Sequence, residues 1–501
     1  MNSHARNLCH RPRQPLIALA VAAALCPGSQ VFAQALEEIV VTATKREELL
    51  SDVAETINVV TSERLEQFNI YNFSEVQSLT PGLTMQEPDP RTQSISLRGL
   101  PYDPDSNTAP TVVTYWNGLQ VRSNVVFNQL YDIRQIEVLR GPQGTLQGQT
   151  SPSGAIQVVT QRADQDGIHG NVRQTIGDHR TWITDAAVNL PLIEDKLAMR
   201  VAGFYAENDL YGTKSTANGR TASNRSRAGR LNLFFTPVDQ FDASLTYEYL
   251  ERATDGLEIV EGMDALGNGH PPKLSAFDRR SVQLGASDIN NRNELVNLTA
   301  NWLLDDHTLT LVSGYQNIMT YAMRDRDVGN AYPSAALDQY VRSDFEIWSH
   351  ELRLASNRDG PWEYLVGAYY YDSINMTVNR NTSVRTFHYA PGSQPPTPDL
   401  IMQTESRIPI LNRTLAVFTD HIFHLSDATR LQAGLRWQRQ KAFQKVDTYA
   451  LDVPGVPSGT FLQSSIPRDQ QSGRERAVTG SLKLSHDLDD EWTVYASYGR
   501  S

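Results

Sequence analysis

From about residue 167 the chain is written in twos. In Phe241-Asp-Ala-Ser-Leu-Thr-Tyr-Glu-Tyr249 the odd positions are apolar and the even ones polar. Leu197, Met199, Val201 and Tyr205 alternate with Arg200, and Leu431, Leu435 and Trp437 alternate with Gln432, Arg436 and Gln438. Trp362, Tyr364, Val366, Ala368 and Tyr370 form another apolar face. A period of two sustained this long predicts extended strands with one apolar and one polar face. The pattern predicts thirteen of them: 167–176, 181–190, 197–207, 224–235, 241–251, 291–302, 308–319, 343–356, 362–373, 411–424, 430–440, 474–486 and 492–499.

The connectors sort these strands into an architecture. After the first hairpin, short ones (191–196, 236–240, 303–307, 357–361, 425–429, 487–491) alternate with long ones (208–223, 252–290, 320–342, 374–410, 441–473). Short turns on one side and long loops on the other are the mark of an outer-membrane barrel, whereas a soluble sandwich has no reason to sort its loops. Tyrosine and tryptophan gather near strand ends, at Tyr369-Tyr370-Tyr371, Tyr247/Tyr249 and Trp492/Tyr495/Tyr498, as expected of rings seeking the headgroup level. Residues 50–163 differ: short apolar strands, Gly and Pro turns, and helical spacing over Ser62–Asn69 and Ser74–Leu79 predict a compact α+β unit.

The N-terminus places the chain outside the cytoplasm. Arg6, Arg11 and Arg13 precede an apolar core from Leu16 to Leu25, and Ala33-Gln34-Ala35 offers a cleavage site, which together predict a secretory signal. Both cysteines, Cys9 and Cys26, lie inside it, so no disulfide is expected in the mature chain. Removing three arginines and no acid moves the formal net charge from −12 to −15, which argues against nucleic acid as a partner. No apolar run of about 18 residues or more follows, so no helix is set to span a bilayer.

Glu37, Glu38, Ile39, Val40, Val41, Thr42 and Ala43 form a short β-prone run before Lys45-Arg46-Glu47-Glu48. An extended segment of this kind can add a strand to a partner's sheet edge. Further along come Pro81-Gly82-Leu83, Ser94-Ile95-Ser96-Leu97-Arg98-Gly99 and Val112-Val113-Thr114-Tyr115-Trp116-Asn117-Gly118. Ile136-Glu137-Val138-Leu139-Arg140-Gly141-Pro142-Gln143-Gly144-Thr145-Leu146 and Ser153-Gly154-Ala155-Ile156-Gln157-Val158-Val159-Thr160 follow. In this order the motifs resemble those of TonB-dependent outer-membrane receptors, and the resemblance covers essentially residues 36–501.

The resemblance implies a signal peptide (1–35), a TonB box and linker (36–49), a plug (50–163) and a partial antiparallel transmembrane barrel (167–501). It implies that residues 37–43 bind TonB and that Arg98 and Arg140 pair with acids of the barrel wall. Tyr102, Asp103, Tyr115 and Trp116 are the expected ligand contacts. The implied activity is energy-coupled import of a scarce solute, first an iron–siderophore complex, with a carbohydrate or other nutrient as the alternative. A passive porin, which would need neither box nor plug, is the alternative from another class. Lipid and TonB are the expected partners. The box stands close to the cleavage site, so no periplasmic signalling domain is expected between them. Two positions depart from the family pattern: Asn117 replaces the usual Asp, and Gln149-Thr150 replaces Arg-Asn.

Asp103, Asp105 and Asn107 have calcium-loop spacing without the glycine or the terminal Glu, and the histidines show no metal-ligand spacing. No catalytic constellation, cofactor motif or metal site is read, so no enzyme is expected. Complete plugged transporters have about 22 strands. Thirteen ending at Tyr498-Gly499-Arg500-Ser501 predict an open sheet beside its plug, as in a fragment or a prematurely stopped product.

Overall fold

A computed structural model describes residues 39–42, 45–46, 48–89, 92–100, 110–122, 130–149, 151–216, 218–257, 278–285, 287–327, 337–357, 360–385, 400–489 and 492–500. Two bodies pack together. A five-stranded sheet with the strand order Ile57–Thr61, Ile133–Arg140, Gly154–Thr160, Val112–Trp116, Leu119–Val121 forms the plug. The helix Ser62–Gln67 and the 3-10 turn Phe73–Leu79 lie on it, the latter opened by an Asn72–Glu75 capping box. Leu65, Phe73, Val76, Ile136 and Ile156 fill the core between them.

The wall is one antiparallel path of thirteen strands. They are His169–Gly177, Thr181–Ile193, Leu197–Asn208, Ser223–Val238, Phe241–Gly256, Ser287–Leu304, His307–Asp325, Asp338–Ser356, Trp362–Arg385, Leu400–Ser426, Thr429–Gln444, Ser472–Asp487 and Thr493–Arg500. Every strand predicted from the alternation is present, in chain order. The path does not close: the strand at each end has one neighbour among the described residues.

Several strands run far past the predicted ends. Trp362–Arg385 has 24 residues and Leu400–Ser426 has 27. A tilted strand crosses a bilayer in about 9–11 residues. The remainder continues as paired ladder into the long loops, with the in-and-out alternation still visible at Ser373, Ile374, Asn375 and Met376. The hairpin Asp447–Asp452/Phe461–Ser464 adds to this outer extension and pairs with residues 403–407.

Burial along the wall is the inverse of a soluble sheet. Leu245 is 42% and Tyr247 43% exposed, while Thr246 is 3% and Glu248 1% exposed. The polar face meets the plug and the apolar face turns outward, which is stable only against hydrocarbon. The aromatic expectation needs one correction. Tyr369 and Tyr371 are buried on the plug side and only Tyr370 shares the outward face, because three consecutive strand residues cannot point the same way. Tyr495 likewise faces inward, its hydroxyl 2.9 Å from Thr56 Oγ1 of the plug.

Candidate coupling and plug-docking site

The described part of the box, Ile39–Thr42, is seated rather than free. Val40 and Val41 pair with Leu49 and Glu48 in a two-strand hairpin, and Leu50 donates its amide to the Ile39 carbonyl at 2.8 Å. Val41 is fully buried. Thr42 donates its amide and its hydroxyl to the Glu137 carboxylate, each at 3.1 Å, and Gln135 Nε2 donates to the Val40 carbonyl at 2.9 Å. Glu137 belongs to the Ile136–Leu146 motif and is itself inaccessible to solvent. Glu37, Glu38 and Ala43 lie outside the described residues.

Two cations fasten the linker to the wall. Lys45 pairs with Glu351 and Arg46 with Glu363. Glu363 also accepts from His424 Nε2 at 2.7 Å when that ring carries its proton there. Burial pushes the Lys45 ammonium down to about 8, against the pull of Glu351. Both carboxylates lie toward the short-turn ends of their strands, so the box sits at that mouth. A cavity of about 1180 Å³ opens there, lined by Lys45 and Arg46, by Asn117 and Arg162 of the plug, and by Asn232 and Thr310 of the wall.

The plug is gripped chiefly by wall arginines. Arg200 takes Asp132 in a two-pronged pair, with Nε donating to Oδ2 at 2.9 Å. Arg230 donates to the Asp132 carbonyl at 3.1 Å while bound to Glu248 at 2.8 Å. Arg436 is fully buried and donates to the carbonyls of Gln147 and Gly148. Lys483 pairs with Glu55, and Thr479 donates to the Gly144 carbonyl. All but the Thr479 bond are charge-assisted and stronger than a neutral one.

Arg98 and Arg140 do not take the role expected of them within this chain. Among the described residues neither pairs with a wall carboxylate. Arg98 is exposed at a left-handed turn, φ 60°, and its Nη1 lies 3.6 Å from where a side chain on Gly141 would begin. The two arginine motifs therefore meet each other. Arg140 leaves its buried Nε without a partner beside Thr56, which touches the last wall strand.

Tyr115 and Trp116 are not exposed to solvent, and Trp116 lies under the Arg230 guanidinium of the wall. The strand Val112–Trp116 is buried at every residue, because neighbouring strands and packed side chains cover both faces. Burial pushes the Tyr115 phenol up, and its oxygen accepts the Gln149 amide at 3.4 Å. Tyr115 nevertheless reaches the lining of the cavity beside Lys45 and Asn117. Tyr102 and Asp103 lie outside the described residues. Asn117, at φ 48°, opens the turn to Gly118, and its side chain accepts the Thr160 amide at 2.9 Å.

The family models decide the family. The TonB-dependent receptor plug model matches residues 50–155, and the TonB-dependent receptor-like β-barrel model matches residues 217–501. The chain belongs to the TonB-dependent receptor family. Members are transport receptors of the outer membrane, not enzymes. The pesticin receptor of Yersinia pestis is 25% identical over 496 residues, 96% of this chain and 66% of its own length. The ferric-pyoverdine 358 receptor of Pseudomonas putida is 24% identical over 91% of this chain and 54% of its own length. The solved ferric yersiniabactin uptake receptor of Yersinia pestis shares the fold at a TM-score of 0.70 and 20% identity, over 89% of this chain and 64% of that one. This TonB-dependent receptor chain thus spans about two thirds or less of the length of these relatives.

The residues missed by sequence reasoning are Glu137, Arg200, Arg230, Arg436 and the pair Lys45–Glu351. A signal existed for the arginines. Arg200 and Arg436 stand on the polar faces of alternating strands, which in a barrel is the face that meets the plug.

Proposed function

We propose that the receptor imports a scarce solute across the outer membrane by energy from TonB, with an iron–siderophore complex as cargo. The observation that carries the coupling is the seated box: residues 40–42 already form strand pairs and side-chain bonds at the short-turn mouth. A partner that adds a strand there must displace the Glu48–Leu49 arm and pull Thr42 from Glu137, a plug residue. Force on the box is thereby force on the plug strand Ile133–Arg140. The cavity beside the linker gives the solute room on the exit side. The siderophore reading rests on relatives whose names describe siderophore receptors, at 24% identity. Vitamin B12 transporters of Vibrio vulnificus also match, at 28% identity over 191 residues, which keeps other nutrients as the second reading.

Uptake of radio-iron siderophore should stop when the proton-motive force is collapsed, with surface binding kept. Uptake that continues at the same rate would make the protein a passive pore.

A further inference from the structure

The two edges of the plug sheet meet the wall in opposite ways. Ile57–Thr61 is one edge and Leu119–Val121 the other. Just before the first, Glu55 pairs with Lys483 and Thr56 bonds Tyr495. The second packs on His307–Asp325, where Leu119 lies so close to Gly314 that a Cβ on the glycine would stand 2.4 Å from Leu119 Cδ2. Leu295 of the next wall strand joins the same apolar cluster. The bond from this edge to the wall is neutral: the Tyr369 hydroxyl donates to Gln120 Oε1 at 2.8 Å. Beyond it Arg122 stacks on Phe345 at 4.0 Å. Among the described residues no hydrogen bond or ion pair joins the plug to 241–250, 295–304 or 307–316. Polar side chains there answer one another instead, Asn301 donating to Asp242 at 3.0 Å and Thr310 to Asn301 at 2.9 Å.

The cavity at the short-turn mouth ends at this contact. Thr246, Asn297 and Val312 line it from the wall, and Asn117 and Gly118 from the plug. Gly314 is the next inward residue after Val312, and Leu119 follows Gly118, so their contact closes the inner end. Asn297 is 2% exposed and its Nδ2 has no hydrogen-bond partner, which leaves a buried donor for a polar solute. These wall strands lie inside the path, with a neighbour on each side. We propose that the solute leaves between the Leu119–Val121 edge and the strand His307–Asp325, with Leu119 on Gly314 as the door. The charged grip at Arg200, Arg436 and Lys483 is the hinge that stays. Lifting the Leu119 edge parts apolar surfaces and one neutral bond, whereas lifting the opposite edge would strand buried charges without partners, which costs more. A volume of about 1180 Å³ exceeds the roughly 300–1,000 Å³ of pockets that hold drug-sized solutes. The proposal rests on the import reading.

Residues 27–501 contain no cysteine, so an introduced pair has no competitor among them. Leu119→Cys/Gly314→Cys removes the crowding atoms and brings the two Cβ atoms to within about 4.5 Å, inside disulfide range. The whole receptor is tested in iron-starved cells, with radio-iron supplied in their own spent medium. Import should be lost when this pair is oxidised, as counted by free thiols, and should return with dithiothreitol. Thr145→Cys/Ser481→Cys ties the gripped side, where the two hydroxyl oxygens lie 3.2 Å apart, and should leave import unchanged when oxidised. Import kept with the first pair closed, or lost equally with both, would overturn the proposal, since the plug would then open elsewhere or leave as one body. Amide hydrogen exchange of the wild-type receptor in nanodiscs gives a reading that needs neither cargo nor variant. Amides of 119–121 should exchange before those of 57–61, and the reverse order would overturn the proposal. Wild-type cells that import no radio-iron would refute the siderophore cargo, and the exchange order would still decide the door.

Discussion

At the scale of single residues, small distances decide which motif positions are fixed by backbone. Gly154 is held at φ 152°, and a Cβ there would stand 2.1 Å from the Leu139 carbonyl oxygen in the partner strand. Gly154→Ala must therefore open the pairing of Gly154 with Arg140, and overpacking of this kind costs roughly 1–3 kcal/mol or more. In the whole receptor the expected result is a plug that loses protease resistance while the wall keeps its heat-modifiable behaviour. Lys45 supplies a pH dependence. Seated, it titrates near 8, and released into water it returns to its ordinary 10.5. Between those values the released state holds the extra proton, so raising the pH favours the seated state and lowering it toward 7 favours release. Cleavage near the box by a protease active across this range should fall as pH rises from 7 to 9, by at most about tenfold per unit for one proton. Lys45→Met should flatten that slope. A slope of the opposite sign would mean that the Glu351 pair outweighs the burial.

At the scale of elements, the box hairpin and the wall strands follow different rules. Val40–Val41 is too short to persist by itself; it is ordered by Glu48–Leu49, Gln135 and Glu137. Proline at Val41 removes an amide donor and fixes φ, so neither the hairpin nor strand addition to TonB can form. Val41→Pro in the whole receptor should bind cargo at the wild-type level and import none; import at the normal rate would show that the box lies elsewhere. The wall strands are legible without tertiary help, since lipid on one side and water or plug on the other impose alternation. Their outer extensions are less legible, because polar residues and cross-strand pairs such as Arg380 with Glu405 interrupt the apolar face there. That is why 362–373 was readable from the sequence and 374–385 was not.

For the whole molecule, the open wall is the governing fact. Each edge strand of the thirteen-strand path presents unpaired backbone groups. Hydrocarbon offers them no partner, and each buried orphan costs several kcal/mol. The 501-residue chain expressed by itself should be degraded or aggregate; a heat-modifiable, protease-resistant species in outer-membrane fractions would contradict this. The sequence by itself determined the order of the wall strands, which face of each turns outward, and the plug motifs, because all of these are local periodicities or contiguous words. Only the tertiary structure decided that Tyr115 and Trp116 are core, that Tyr369 and Tyr371 turn inward, and that Arg200, Arg230 and Arg436 hold the plug. Those outcomes depend on which residues meet across 68 to 289 positions of chain, as between Arg200 and Asp132 or Arg436 and Gln147. Burial of a polar group is settled by the partner it finds, and no spacing along the strand names a partner so far away.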